Sequence, residues 1–231
     1  MSAIQIIDTF PTFLSFWPAA AGKEIDQQIE RWHADYISKW PELSQKVIKD
    51  YDDQDMQWLQ IAKDMVLPYL NERLQAMKVA HEGLLESYPA LLDLAQARLG
   101  VDTDIIFVIY VVLDNGAGWV TTFAGKPAIL FGLENIAECE YETQLRLSGL
   151  IAHELGHVAY SHWRAEHGLS NGAGPWWQLY IEGFAQRCEY IILGQDLRHM
   201  KISGSDERWL SWCQENKAWL AAEYLRAVSG G

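Results

Sequence analysis

The sequence has few cysteines and few basic residues for its length. Three of its 231 residues are cysteine, an odd number with no pair at zinc-ligand spacing, which excludes a disulfide framework and a cysteine zinc site. Lysine and arginine total 18 against 31 aspartates and glutamates, giving a net charge of −13. Nucleic acid and anionic membranes repel such a charge unless a basic patch compensates it, and the sequence has no basic cluster. We therefore expect neither of them as a partner.

The sequence also lacks the hydrophobic segments of membrane and secreted proteins. No run of 18 apolar residues occurs, so we predict no membrane-spanning helix. Residues 4–21 are fairly apolar, but they lack a basic start and are interrupted by Asp8, Pro11 and Pro18, which is atypical of a signal peptide. Apolar residues make up 49% and charged residues 21%, as in globular proteins. We expect a cytoplasmic protein with reduced thiols.

Two histidines stand four residues apart in the sequence His153-Glu154-Leu-Gly-His157. Apolar residues at helical spacing flank them, so both imidazoles project from one helix face, about 40° and one turn apart. A single metal ion can then bind both. Glu154 lies between the histidines, where its carboxylate can take a proton from zinc-bound water and deliver it to a leaving group. The pattern predicts His153 and His157 as zinc ligands and Glu154 as the general base.

The same residues have a second interpretation, as histidines packed in a core or bound to a non-catalytic metal. With seven histidines in the chain, the pattern arises by chance in about one such sequence in a hundred, so chance explains it poorly. Gly156 supports a site, since a glycine inside a helix costs roughly 1 kcal/mol relative to alanine and indicates that another element approaches closely. We favour a zinc hydrolase over these alternatives.

Catalytic zinc usually has three protein ligands and a water, so the two histidines leave one ligand to be found. The next predicted helix can supply it. This helix carries the sequence Glu182-Gly183-Phe-Ala185. We predict Glu182 as the third ligand, with Gly183 and Ala185 letting the two helices approach closely. Glu189, two turns further on the same face, is the alternative ligand. The extended form of the motif is excluded, because it requires a histidine where the chain has Trp163.

The rest of the chain predicts helices first and a small sheet directly before the motif. Predicted helices occupy residues 23–39, 41–50, 53–80 with a break at Pro68, 89–99, 141–166 and 176–193. Predicted strands occupy residues 4–7, 104–113, 119–123 and 128–131. We therefore expect an α+β fold that is mainly helical, with a small sheet next to an active-site helix pair. A helical N-terminal lobe (1–100) and a catalytic lobe (101–231) would form one compact domain.

An exposed strand edge beside the metal would suit a peptidase, because an extended substrate can hydrogen-bond to it as an added strand. We expect residues 128–132 to be this edge. Pro127 favours that position, since proline cannot donate a ladder hydrogen bond and is confined mainly to strand starts and edges.

The sequences His153-Glu-Leu-Gly-His157 and Glu182-Gly-Phe-Ala185 resemble the motifs of the glutamate-zincin metallopeptidases. More narrowly, the chain resembles a bacterial family of zinc-dependent proteases classified as a domain of unknown function. In that zincin-like family a helical N-terminal part precedes a small sheet and the two motif helices, and most of this chain fits that order. The resemblance implies zinc binding by the two histidines and Glu182, and catalysis by Glu154. Thermolysin-like members orient a zinc-bound histidine with an aspartate four residues after the glutamate, whereas this chain has Gln186, a weaker neutral acceptor.

We therefore predict a Zn2+-dependent enzyme that hydrolyses peptide bonds in a peptide or protein substrate. The alternatives are a non-catalytic zinc-binding protein for interaction or structure, and a hydrolase of non-peptide amides. Peptide hydrolysis also requires a donor to the oxyanion of the tetrahedral intermediate. His199, which follows the glutamate helix beyond Gly194, is the predicted catalytic donor, with Tyr190 and His167 as alternatives.

Overall fold

Helices dominate the structure, which is 72% helical and includes a small four-stranded mixed sheet. The computed structural model describes residues 4–53, 57–111, 114–170, 172–194 and 208–229. The α+β, mainly helical fold predicted from the sequence is confirmed. Among the described residues, no helix combines the length and the apolar composition needed to cross a bilayer.

The first hundred residues form several short helices and one long one. The α-helices are α1 (Phe10–Ala20), α2 (Ile25–Arg31), α3 (Pro41–Asp53), α4 (Trp58–Ile61) and α5 (Leu70–Leu99). A π-helical turn followed by a 3-10 turn extends α2, over Trp32–Tyr36 and Ile37–Lys39, and another such pair extends α4, over Ala62–Val66 and Leu67–Tyr69.

Prolines have different effects in this helical part. Pro68 lies in a 3-10 turn, so the predicted break at this residue is confirmed. Pro89 lies inside α5, however, so the prediction that a separate helix begins at residue 89 is wrong. Proline removes one helical hydrogen bond, but a buried face continues on both sides of Pro89, with Leu84 before it and Leu91 after it. Packing of this face keeps the helix continuous.

The sheet contains β1 (Ile4–Asp8), β2 (Ile105–Tyr110), β3 (Gly118–Phe123) and β4 (Lys126–Gly132), in the spatial order β1-β2-β4-β3. The first three strands in this order are parallel, and β3 is antiparallel to β4. Every residue of β2 is buried, which agrees with its continuous apolar sequence. Because β1 pairs with β2, the N-terminal part of the chain contributes a strand to the sheet that precedes the motif helices.

The prediction that residues 128–132 form the sheet edge is wrong. These residues belong to β4, which pairs with β2 on one side and with β3 on the other. The edge strands of the described sheet are β1 and β3, and β3 is the edge strand that contacts the motif helix α7. The physical reason is the two-residue turn at Ala124 and Gly125, whose positive φ angles of 48° and 75° fit a tight hairpin that folds β3 onto β4. Pro127 is tolerated because the register with β2 begins only at Ala128.

Five further helices complete the described chain: α6 (Leu133–Glu138), α7 (Gln144–Glu166), α8 (Pro175–Leu193), α9 (Arg208–Glu215) and α10 (Lys217–Ser229). The two motif helices predicted from the sequence are α7 and α8, and α7 begins three residues later than expected. Gly194 ends α8 in the left-handed conformation, with a φ of 68°. A shared hydrophobic core joins α1 and α5 to the sheet and to α7.

Candidate metal centre

The site lies where α7 and α8 pack against each other as an antiparallel pair. Their closest approach is at Gly156, where an added Cβ would lie 2.9 Å from Ala185 Cα and 2.9 Å from Cys188 Cβ. The prediction that another element approaches Gly156 closely is therefore confirmed, and Ala185 is fully buried in this contact. Gly183 has no such role, because a Cβ at that position would meet nothing within 4 Å. It lies about 200° around α8 from Ala185, away from α7.

The three predicted ligands come together in this helix pair. One ligand atom from each of His153, His157 and Glu182 lies within 4.8 Å of the others, so among the described residues these three form a group that could hold a metal ion. The two Nε2 atoms are 3.2 Å apart. Glu182 Oε2 is 3.3 Å from Nε2 of His153, and its Oε1 is 3.7 Å from Nε2 of His157. Two imidazoles and a carboxylate thus face one point.

Glu154 lies beside the three ligands and lines the same cavity. Only 5% of the residue is exposed. Burial raises the pKa of its carboxyl to about 7; the nearby His153 opposes this rise, and the negative charge of Glu182 adds to it. A carboxyl with a pKa near neutrality is suited to accept and return a proton at neutral pH.

The two histidines differ in protonation because their surroundings differ. Burial lowers the pKa of His153, but the neighbouring carboxylates of Glu182 and Glu189 outweigh burial and raise the pKa to about 9. Burial and the neighbouring His153 lower the pKa of His157 to about 4, against the attraction of Glu182. The carboxylates beside His153 therefore favour its protonated form, whereas burial favours the neutral form of His157.

The structure separates the two candidate glutamates. Glu189 Oε2 is 3.8 Å from Nδ1 of His153, so this carboxylate lies on the opposite side of the ring from Glu182. Glu189 is only 2% exposed, whereas 41% of the Glu182 side chain is exposed to the cavity and solvent. Of the two glutamates, Glu182 therefore lies on the Nε2 side of His153, with the other candidate ligand His157, and Glu189 lies behind the ring on its Nδ1 side. Gln186, which the family resemblance places in the orienting position, instead lines the cavity.

One contact of the site was not predicted from the sequence. The side-chain amide of Gln178 donates a hydrogen bond of 3.1 Å to Glu182 Oε1. The spacing of Gln178 and Glu182 could have predicted this contact, since residues four apart lie on the same face of a helix. This hydrogen bond helps to fix the carboxylate of Glu182 toward the histidines.

The edge strand β3 borders the cavity that His153, His157 and Glu182 line, which we call the metal-ligand cavity. It has a volume of about 570 Å³. Gly118 and Trp119 at the start of β3 line it, opposite Glu182 and Gln186 on α8. A Cβ added at Gly118 would lie 2.9 Å from Glu154 Oε1, so only glycine leaves room for this carboxylate. The expected edge is thus present beside the ligands, but β3 supplies it in place of residues 128–132.

None of the predicted oxyanion donors is among the described residues that line the metal-ligand cavity. His199 lies outside the described residues. Tyr190 is 40% exposed at the end of α8, where the Arg187 guanidinium lies 4.7 Å from its ring centroid. His167 follows the end of α7 and donates from Nδ1 to the carbonyl of Trp163, 2.7 Å away. Neither of these two alternatives lines the metal-ligand cavity, so the geometry supports neither as the donor.

Comparisons with protein-family models, with curated proteins and with solved structures found no match to this chain. The resemblance of the two motifs to the glutamate zincins therefore stays a prediction. What supports a function is the set of residues in the cavity and their geometry.

Proposed function

We propose that the protein is a zinc-dependent hydrolase that cleaves peptide bonds in a peptide or protein substrate, and that it acts in the cytoplasm. The observation that carries this proposal is the position of Glu154. Its buried carboxyl lines the same open cavity as the metal-ligand atoms of His153, His157 and Glu182. A metal site that served only to stabilise the fold would need neither the cavity nor the acid.

The donor set fits zinc. Two imidazole nitrogens and one carboxylate oxygen are common ligands of catalytic zinc, which keeps a fourth position for water or substrate. Zinc bound here would act as a Lewis acid and lower the pKa of a water molecule to about 7. The cavity of about 570 Å³ leaves room beside the three ligands for a substrate group.

Each residue of the site has a role that follows from its position. Glu154 takes a proton from the attacking water and returns it to the leaving amine, which its pKa of about 7 favours. The carboxylate of Glu189 lies 3.8 Å from Nδ1 of His153 and would favour a proton on that nitrogen, which would leave the lone pair of Nε2 directed at the point shared with Glu182. Gln178 steadies the carboxylate of Glu182.

The substrate class follows from the strand that borders the cavity. β3 is one of the two edge strands of the described sheet, so its outer edge can pair with an extended peptide. Gly118 lies at the start of this strand and against Glu154, so pairing along β3 would bring a peptide bond next to the general base. We therefore favour peptide bonds over other amides.

The test combines metal content with cleavage. Purified wild type, Glu154→Gln and Glu182→Ala are analysed for zinc by mass spectrometry and are incubated with a mixed peptide library, with and without a chelator. We expect wild type to bind one zinc ion per chain and to cleave peptides, and Glu154→Gln to bind zinc without cleaving. Glu182→Ala should lose zinc and activity together.

Two outcomes would oppose the proposal. Wild-type turnover in Glu154→Gln would exclude the proposed general base. A zinc-containing wild type that cleaves neither peptides nor other amides would favour the alternative, a zinc-binding protein without catalytic activity. Glu166→Gln is a suitable control, because Glu166 is an exposed glutamate near the end of the same helix and pairs with His162, away from the ligands.

A further inference from the structure

We propose that a second cleft, next to the metal-ligand cavity, binds the amino-side residues of the peptide substrate. In this proposal it selects an uncharged, largely apolar side chain about three residues before the bond that is cut. The inference rests on the proposed function and adds to it a substrate preference and the residues that determine it.

The second cleft lies between β3 and the C-terminal half of α7 and has a volume of about 560 Å³. The sheet forms one wall, with Val120, Thr121 and Thr122 of β3, Pro127 of β4 and Thr103 before β2. Val158, Ser161 and Ala165 of α7 form the other, at the spacing of a single helix face. We call this space the β3–α7 cleft.

The residues that line the β3–α7 cleft follow directly, along both β3 and α7, those that line the metal-ligand cavity. The metal-ligand cavity is lined by Gly118 of β3 and by α7 residues up to His157. Trp119 is the last residue of β3 that lines the metal-ligand cavity, so the β3–α7 cleft begins one residue further along β3, at Val120, and one residue further along α7, at Val158. A peptide bound along the edge of β3 would therefore pass from one space into the other.

The separation of the two spaces matches a few residues of an extended peptide. Ser161 is seven residues after Glu154 on α7, which is about 10 Å at the helical rise of roughly 1.5 Å per residue. An extended strand advances about 3.3 Å per residue, so this distance corresponds to about three substrate residues. Successive side chains of a strand point to opposite faces, so one of these residues can direct its side chain toward α7.

The direction of β3 decides which side of the substrate enters the cleft. The strand runs from Gly118, beside Glu154, toward Thr122, beside the β3–α7 cleft. A peptide that pairs antiparallel with β3, as β4 does, runs the opposite way. Its amino-terminal residues then lie at the β3–α7 cleft, and the residues after the cut bond lie beyond Gly118.

The lining of the cleft indicates the kind of side chain that it takes. Valine, alanine, proline, threonine and serine make up the walls, and none of the described lining residues is acidic or is a lysine or arginine. His162 is the one titratable side chain among them, and its Nε2 lies 3.4 Å from Glu166. A charged substrate side chain would lose its hydration here without a matching partner, whereas leucine, methionine or phenylalanine would gain by burial.

The experiment uses full-length protein and a positional-scanning library of blocked octapeptides. Wild type is tested for cleavage, and zinc-loaded Glu154→Gln is tested for peptide binding by affinity selection and mass spectrometry. Each is then compared with the same protein carrying Ser161→Trp, which fills the cleft from an exposed position on α7. Leu145→Trp is the matched control, because Leu145 is 58% exposed on the same helix and lines neither space.

We expect a preference of about tenfold or more for leucine or phenylalanine over aspartate at the third position before the cut bond. Ser161→Trp should abolish this preference, and Leu145→Trp should keep it.

Failure of this inference is distinguishable from failure of the proposed function. If peptides bind zinc-loaded Glu154→Gln with the expected preference but wild type does not cut them, the result would support the proposed role of the cleft and oppose the proposed hydrolase function. Wild type could instead cleave peptides with a preference only for residues after the cut bond, or with a preference that Ser161→Trp does not change. Either result would overturn the proposed role of the cleft and leave the proposed hydrolase function intact. A complete lack of peptide binding by zinc-loaded Glu154→Gln would also overturn the cleft.

Discussion

Glu189 and His153 form a buried pair behind the candidate metal site, with Oε2 of the glutamate 3.8 Å from Nδ1 of the imidazole. The other ring nitrogen faces Glu182, at 3.3 Å. A carboxylate at Nδ1 fixes the tautomer and the orientation of a metal-binding histidine and makes its other nitrogen a better ligand. The two glutamates of α8 therefore act on opposite nitrogens of one ring.

This relationship predicts a graded loss of zinc. Glu189→Gln should lower zinc affinity by about tenfold to a hundredfold, because a neutral amide is a weaker acceptor for the Nδ1 proton. Glu182→Ala should lower it much further by removing a ligand. Competition with a chromophoric chelator measures both affinities. If Glu182→Ala keeps stoichiometric, tightly bound zinc while Glu189→Gln loses it, the two glutamates have the reverse roles.

The contact of Gly156 with α8 predicts opposite effects of alanine at two glycines. Gly156→Ala places a Cβ 2.9 Å from the Ala185 backbone and should lower the free energy of unfolding by about 1–3 kcal/mol. Gly183→Ala meets nothing within 4 Å and should raise it by about 0.5–1 kcal/mol, since alanine favours the helix. Urea denaturation of the two variants measures the difference. Equal stabilities would show that the helices are not in close contact at Gly156.

The proximity of Gly118 to Glu154 predicts a catalytic defect without metal loss. Gly118→Ala would put a Cβ 2.9 Å from Glu154 Oε1, so the carboxylate must move. We expect kcat/KM to fall by about tenfold to a hundredfold while one zinc ion per chain is retained. Gly22→Ala is the control, because a Cβ at Gly22 has open space around it. An unchanged kcat/KM in Gly118→Ala would mean that Glu154 is not the positioned base.

Burial of Cys188 predicts a thiol that does not react in the folded protein. Burial raises the pKa of this thiol to about 11, so only about 0.1% of it is thiolate at pH 8, and the side chain lies against Gly156. Cys139 is exposed. A variant whose remaining cysteine is Cys188 should react with a disulfide reagent only after unfolding, whereas Cys139 should react in the native protein. Rapid labelling of native Cys188 would contradict the close packing of α7 and α8.

His199 stays the predicted donor to the oxyanion, on the ground of sequence alone. Replacing such a donor costs about a hundredfold or more in kcat in comparable hydrolases. His199→Ala should therefore reduce kcat by this factor and leave zinc content and KM almost unchanged. Steady-state kinetics with a peptide from the library measure it. An unaltered kcat would assign the role to another donor, and Tyr190 and His167 are poor substitutes because neither lines the cavity.

The sequence alone was sufficient for the features that depend on local spacing. The four-residue interval between His153 and His157 sets two imidazoles on one helix face because the helix repeats about every 3.6 residues. Gly156 signalled a close helix contact for the same local reason, the cost of glycine inside a helix. Proline and glycine likewise marked the break at Pro68 and the end of α8 at Gly194.

The tertiary structure decided everything that depends on which elements meet. Whether Glu182 or Glu189 faces the Nε2 atoms depends on how far α8 is shifted along α7, which the contact of Gly156 with Ala185 fixes. The position of a strand in the sheet is also a tertiary property, because a short apolar sequence can form either an edge strand or a central strand. The pairing of β4 with both β2 and β3 makes β4 a central strand and β3 an edge strand. Strand order and helix register are set by long-range packing, and the residues of one element do not encode them.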